Sequence, residues 1–202
     1  MSDLLRSVSF VLLATRCPSC DRAGPAPCAP CIAQMGPAPE VPVAPGLDDC
    51  LALLSYEGPA RDVVTHLKYR NARATARWLA EGMARLVPAG ALDVVTWAPT
   101  TELRRRSRGF DHAELLARQV AARLSLPLAS TLRRVPGPPQ TGRTLLERRD
   151  GPQFLASASL AGRSVLVVDD VVTTGATLAS AARTLRAAGA DHVVGLAAAH
   201  PP

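Results

Sequence analysis

Two adjacent carboxylates, Asp169 and Asp170, close the most strand-like stretch of the chain, VLVVDD, and run straight into the turn TTGAT. Thr173, Thr174 and Thr177 bring hydroxyls to that turn, Gly175 brings backbone freedom, and an alanine-rich helical pattern starts at Ala176. Backbone N–H groups that converge where a helix begins make a cradle for phosphate. Carboxylates beside such a cradle repel its ligand unless they accept hydrogen bonds from sugar hydroxyls or help to hold a divalent cation. A sugar diol with a phosphate on the next carbon satisfies both halves of the motif, and that describes a ribose 5-phosphate. The usual nucleotide motifs are missing, since there is no G-x-x-x-x-G-K-[ST] and no G-x-G-x-x-G after a strand.

A second cluster has a different chemistry. Cys17, Cys20, Cys28 and Cys31 form two Cys-x-x-Cys pairs within CPSCDRAGPAPCAPC. Each pair brings two sulfurs within reach of one ion, and two pairs complete a tetrahedral four-thiolate site suited to zinc. Pro18, Pro30 and the Gly/Pro-rich spacer favour tight turns over helix. Disulfides are disfavoured because no secretory cleavage site precedes Cys17. A thioredoxin-like redox motif would need a strand before it and a helix after it. Four thiolates saturate the ion, so the expected site is structural. Cys50 opens the apolar run CLALLSY and is expected to be a buried strand cysteine.

These groups need a scaffold. Hydrophobic residues make up 48% of the 202 and aromatics only 3%, so the core must be built from Ala, Val and Leu. Strands are expected at CLALLSY, DVVTWAP, SVLVVDD and HVVGLAAA, and a short apolar piece near 126–132. Helical periodicity marks GPARDVVTHLKYR, ARATARWLAEGMARLV, DHAELLARQVAARL (111–124) and the stretch from the TTGAT turn to about Ala188. An Arg-rich loop is expected after Pro99, and a basic, Pro/Gly-rich loop over RRVPGPPQTGRTLLERRDGP. Strand and helix alternate over residues 50–198, which argues for a parallel α/β sheet with ligands beyond the carboxyl ends of its strands. The expected division is a zinc-binding segment (1–34), a stiff proline-rich linker (35–46) and a main domain (47–202).

The net charge is +6, and residues 101–150, with 11 arginines against five acidic residues, hold the whole excess. That concentration suggests an anionic ligand there, or a solvated basic helix face. Lys68 is the only lysine; a phosphate contact and a plain surface role both remain open for it. His112 is expected as an exposed helix-start residue. The apolar run Phe10–Ala14 is far below the roughly 20 residues of a membrane span. A cytoplasmic protein with no membrane association is expected.

VLVVDDVVTTGAT resembles the phosphoribosyl diphosphate (PRPP) signature of type I phosphoribosyltransferases. The chain as a whole is similar to the ComF family, which joins a four-cysteine zinc finger to such a domain. LKYR, RRRSRGFDHAELLA and PPQTGRTLLERR support the likeness. It implies that Asp169 and Asp170 contact the ribose hydroxyls and that Thr173, Thr174, Gly175, Ala176 and Thr177 wrap the 5-phosphate. Arg105, Arg106 and Arg108, with Lys68, would face the pyrophosphate. Gln140, Arg148 and Arg149 would belong to a hood loop, and the implied catalytic set is Asp169, Asp170 and Arg148. Two places depart from the family pattern. Asp111-His112 stands where Asn-Gln or similar is usual, and Arg143 and Gly151 stand where the hood loop has Leu and Asn. Both lie near where the acceptor would bind.

The resemblance implies Mg²⁺-assisted transfer of phosphoribosyl to a nitrogen acceptor, with structural Zn²⁺ in the cysteine clip. The alternative is a non-catalytic accessory protein for DNA uptake, working with a helicase-like partner and keeping a PRPP-sensing or vestigial site. Direct binding of single-stranded DNA is weakly supported, because Phe110 is the only aromatic in the basic segment.

Overall fold

The computed structural model describes residues 15–67, 73–136 and 151–202, apart from the side chains of Arg104 and Arg108. The first half runs α1 (Ala29–Ile32), β1 (Asp49–Ser55), α2 (Gly58–His66), α3 (Arg73–Leu86), β2 (Val94–Trp97) and α4 (Glu102–Arg108). The second half runs α5 (His112–Leu124), β3 (Leu132–Arg134), β4 (Phe154–Ala156), β5 (Ser164–Val171), α6 (Ala176–Ala187) and β6 (His192–His200).

Four parallel strands form the main sheet in the order β1-β6-β5-β2, and β3 pairs antiparallel with β4. The two central strands are apolar on both faces, as a sheet covered on both sides requires. Along β5, Leu166 and Val168 join Val63, Leu79, Met83 and Val120 from α2, α3 and α5. Val165 and Val167 point the other way, into a core shared with Leu178 and Leu185 of α6 and Phe154 of β4. Truncating a fully buried leucine such as Leu166 or Leu116 would cost about 2–5 kcal/mol. The acid-bearing end of β5 is therefore the edge of a rigid two-layered core.

Three segments differ from expectation. The one after Pro99 is the helix α4, where a loop was expected. Glu102 in its first turn pairs with Arg105 and Arg106, each at 3.1 Å, at the i,i+3 and i,i+4 spacings that support a helix. Leu103, its one large apolar residue, is 80% exposed, so no apolar periodicity announced it. The second cysteine pair also ends in a helical turn, α1, with Pro30 near its start, where a proline's missing N–H costs nothing.

Residues 35–46 do more than space the clip from the domain. The Ser55 N–H donates to the Gly36 carbonyl at 3.0 Å and the Ala38 N–H to the Leu53 carbonyl at 3.2 Å. The chain thus runs antiparallel along the open edge of β1, a position that tolerates proline. Further on, Val41, Ala44 and Leu47 are buried in the α6-side core. Arg186 of α6 then bonds the Gly46 carbonyl at 3.2 Å and pairs with Asp48. The Asp48 carboxylate also accepts the Val193 N–H at 2.7 Å and lies 3.1 Å from His192 Nδ1.

Candidate functional site

At the end of β5 the backbone holds both carboxylates. The Asp170 N–H donates to Asp169 Oδ1 at 2.8 Å, and the Val171 N–H to Asp170 Oδ1 at 2.9 Å. One oxygen of each is thereby fixed by the backbone. Burial, and then the charge of Asp170, push the Asp169 carboxyl well above its ordinary range, and Asp111 adds to the effect. A carboxylate so placed gains from hydrogen-bond donors or a cation, and a diol or a divalent metal supplies one or the other.

The turn follows at once. Thr173 and Thr174 are exposed, while Gly175 is buried with φ 73°. A Cβ at Gly175 would lie 2.9 Å from the Ala44 Cβ, so both the backbone angle and the available space call for glycine. Gly175 caps α6 without a side chain, and the first turn carries no acidic residue. Thr174 Oγ1 accepts the Ala176 N–H at 3.4 Å, and no carboxylate of the first turn offsets the positive end of the helix. Helix α5 contrasts with it: Asp111 caps its start and Glu114 lies in its first turn. The structure therefore brings Asp169, Asp170, Thr173, Thr174, Gly175, Ala176 and Thr177 together at one strand–turn–helix junction.

Two neighbours press on that junction. Gly151 has φ 67°, and a Cβ there would lie 2.5 Å from the Ala176 carbonyl oxygen. The next residue's carbonyl, that of Pro152, accepts a hydrogen bond from Ser180 Oγ of α6. β2 lies beside β5, and the Ala98 N–H donates to the Val168 carbonyl at 3.0 Å, so the loop leaving β2 emerges next to the aspartates.

Asp111 is the residue that sequence reasoning undervalued. It is buried, and its Oδ2 accepts the Thr100 N–H at 2.8 Å while Oδ1 accepts the Ala113 N–H at 3.0 Å. Burial raises its carboxyl, against three backbone N–H groups that lower it. The signal was present as D-H-A-E, a capping residue followed three positions later by Glu114. His112 is not exposed as expected: it is 4% exposed and stacks on Phe110 with ring centroids 5.3 Å apart. Packing of α5 on the sheet buries its first turn, which helix position alone does not predict.

Arg105 and Arg106 lie on α4 with Glu102 as their partner. Arg105 also feels the charge of Asp111, which in turn acts on Asp169. The side chain of Arg108, and Lys68, Gln140, Arg148 and Arg149, lie outside the described residues.

The sulfurs of Cys17, Cys20, Cys28 and Cys31 all lie within 4.8 Å of one another, and those of Cys20 and Cys28 are 3.6 Å apart. Tetrahedral zinc thiolates stand about 3.8 Å apart, given Zn–S bonds of about 2.3 Å. The four cysteines are therefore positioned to bind a metal. Burial raises the Cys17 thiol, but backbone N–H groups of Cys20, Cys28 and Ser19 and the neighbouring Cys28 outweigh it and bring it down to about 6. Burial and the three neighbouring thiols push Cys31 up to about 12. Cys50 is buried in β1 as expected, and burial pushes its thiol to about 11.

The phosphoribosyl transferase domain model matches residues 107–200, a span holding Asp111, both aspartates and the turn. Competence protein F of Haemophilus influenzae is 26% identical over 167 residues, covering 74% of this chain and 71% of that protein. Residues 107–200 thus match a phosphoribosyl transferase domain, in a chain similar over most of its length to Competence protein F. Among solved structures, the B. subtilis glutamine PRPP amidotransferase, complexed with ADP and GMP, aligns with 21% identity and a TM-score of 0.43. That alignment covers 65% of this chain, which spans about 30% of the amidotransferase's length. A purine phosphoribosyltransferase from Pyrococcus horikoshii aligns with 20% identity and a TM-score of 0.37, over 59% of this chain and 67% of the other. The matched span begins near the end of α4, after the cysteine cluster, β1, α2, α3 and β2. Among the described residues no helix is long and apolar enough to cross a membrane.

Proposed function

We propose that the protein binds Mg-PRPP and transfers its phosphoribosyl group to a nitrogen acceptor. The observation that carries this reading is the junction at the end of β5, where two backbone-fixed carboxylates meet a helix start with no acidic side chain in its first turn. Asp169 and Asp170 take the ribose hydroxyls, and Thr173, Thr174, Gly175, Ala176 and Thr177 take the 5-phosphate. In the reaction the bond from the anomeric carbon to pyrophosphate breaks, and the electron pair leaves with pyrophosphate. The acceptor nitrogen's lone pair forms the new bond, and that nitrogen then loses its proton.

Mg²⁺ bound with the substrate would neutralise part of the leaving group's charge, and a raised carboxyl at Asp169 fits a site that welcomes a dication. Arg105 and Arg106 supply the rest by exchanging Glu102 for pyrophosphate. Their present ion pairs are exposed on both sides and open readily. Lys68 and Arg108 are assigned to the same leaving group, and Gln140, Arg148 and Arg149 to the hood that excludes water. Zn²⁺ in the four-cysteine cluster is structural.

Calorimetry with PRPP and Mg²⁺ tests this reading. The wild type is expected to bind, and Asp169→Asn/Asp170→Asn to bind at least about 100-fold more weakly, the loss of two charged hydrogen bonds. A wild type that does not bind PRPP ends the proposal. The likeness to Competence protein F supports a second reading, an accessory role in DNA uptake with a PRPP-sensing site and the cysteine module docking a helicase-like protein. Binding of PRPP without pyrophosphate release across a panel of nitrogenous bases would favour that one.

A further inference from the structure

We propose that residues 36–47 form a strap coupling the four-cysteine cluster to the phosphate turn, with Ala44 as the positioning residue at the contact. The inference rests on the proposed role of the 173–177 turn in holding a 5-phosphate. The strap is held at both ends and touches the turn near its far end. At its start, α1 carries Cys31, and Met35 just beyond packs against both the cysteine cluster and the α2/α3-side core. The bonds of Gly36 and Ala38 to β1 then fix the direction of the chain. At its far end, Arg186 clasps the Gly46 carbonyl and the Asp48 carboxylate. Between these anchors Ala44 is 8% exposed and sits where a Cβ on Gly175 would come within 2.9 Å.

A positive-φ glycine can move over a wide range of backbone angles unless something stops it. Ala44 is the stop: it leaves the turn room for hydrogen but for nothing larger. Ala44 is held from two sides, by the clasp on Gly46 two residues on and by a start continuous with the helical turn bearing Cys31, and a metal at the cysteines fixes the second hold. Ser19, between the first two cysteines, bonds Asp62 of α2 at 2.9 Å and seats the cluster on the same domain. A metal that organises the four thiolates therefore also narrows the motion of the phosphate turn. Two sites that bias one element are coupled, and the coupling is reciprocal. A phosphate ligand in the turn must then tighten metal binding at the cysteines by the same factor.

The test uses zinc-loaded full-length protein and ribose 5-phosphate, a ligand that needs no Mg²⁺ and so tolerates a chelator. Zinc affinity is measured by equilibrium competition with a chromogenic chelator, with and without saturating ribose 5-phosphate, whose binding is measured separately by calorimetry. The expected result is affinity raised by about fivefold or more, the lower end of common coupling strengths. In Ala44→Gly, which removes the contacting methyl, zinc content is unchanged and the gain shrinks toward none. Unaltered zinc affinity in a wild type that binds ribose 5-phosphate overturns the coupling and leaves the ligand assignment standing. An undiminished gain in Ala44→Gly overturns Ala44 as the contact. Absence of ribose 5-phosphate binding to the loaded protein overturns both the coupling and the role of the turn.

Discussion

The Thr100 N–H donates to Asp111 Oδ2 at 2.8 Å, so one buried carboxylate joins the loop leaving β2 to the first turn of α5. The other oxygen caps that helix. Asp111→Ala removes the cap, worth about 1 kcal/mol, and strands the Thr100 N–H at a further cost of about 1–3 kcal/mol. A loss of about 2–4 kcal/mol in urea unfolding is expected. Asp111→Asn, which keeps one acceptor oxygen, should recover part of it.

Asp169 carries a penalty in the ligand-free protein. Its folded carboxyl binds a proton more tightly than the unfolded one, whose value lies near 3.8. Stability therefore falls as pH rises from that value through the raised folded pKa, and the penalty is complete above it. Asp169→Asn removes the penalty. Its melting temperature should exceed the wild type's near pH 8, and the two should converge near pH 4. Ribose 5-phosphate binding should weaken in the same variant. Equal melting temperatures at both pH values would contradict this account of the site.

Three glycines separate backbone strain from steric contact. Gly90, Gly151 and Gly175 have φ of 76°, 67° and 73°, but a Cβ at Gly90 meets nothing within 4 Å. Gly90→Ala should cost about 1–2 kcal/mol, the left-handed backbone term alone. Gly151→Ala and Gly175→Ala should cost at least about 1 kcal/mol more in chemical denaturation, because each adds a close contact. Only these two should also weaken phosphate-ligand binding.

Thiol titration reports on the cysteine cluster. Zinc-loaded native protein should show few reactive thiols, and chelation should free the four of Cys17, Cys20, Cys28 and Cys31. Cys50, buried and pushed to about 11, should react only after denaturation. Metal analysis should find about one ion per chain, and its removal should lower the melting temperature.

What the sequence revealed about the site is what lies close together along the chain. The Asp169–Asp170 pair, the 173–177 turn and the α6 pattern are consecutive, and backbone geometry alone folds them into one junction. The Cys-x-x-Cys spacing works the same way. The run of α4 was misread because its order comes from charge pairing with Glu102, which leaves no apolar period to detect.

By itself, then, the sequence determined the local chemistry: a strand ending in two carboxylates, a glycine turn into a helix, and four thiolates within reach of one ion. The tertiary structure alone decided what presses on that chemistry. Ala44 against Gly175, Gly151 against the Ala176 carbonyl, Thr100 on Asp111 and the burial of His112 all join parts of the chain far apart in sequence or set by layer packing. Such contacts depend on how helices and the edge strap stack on the sheet. Residue periodicity encodes which face is buried, but not which neighbour will cover it.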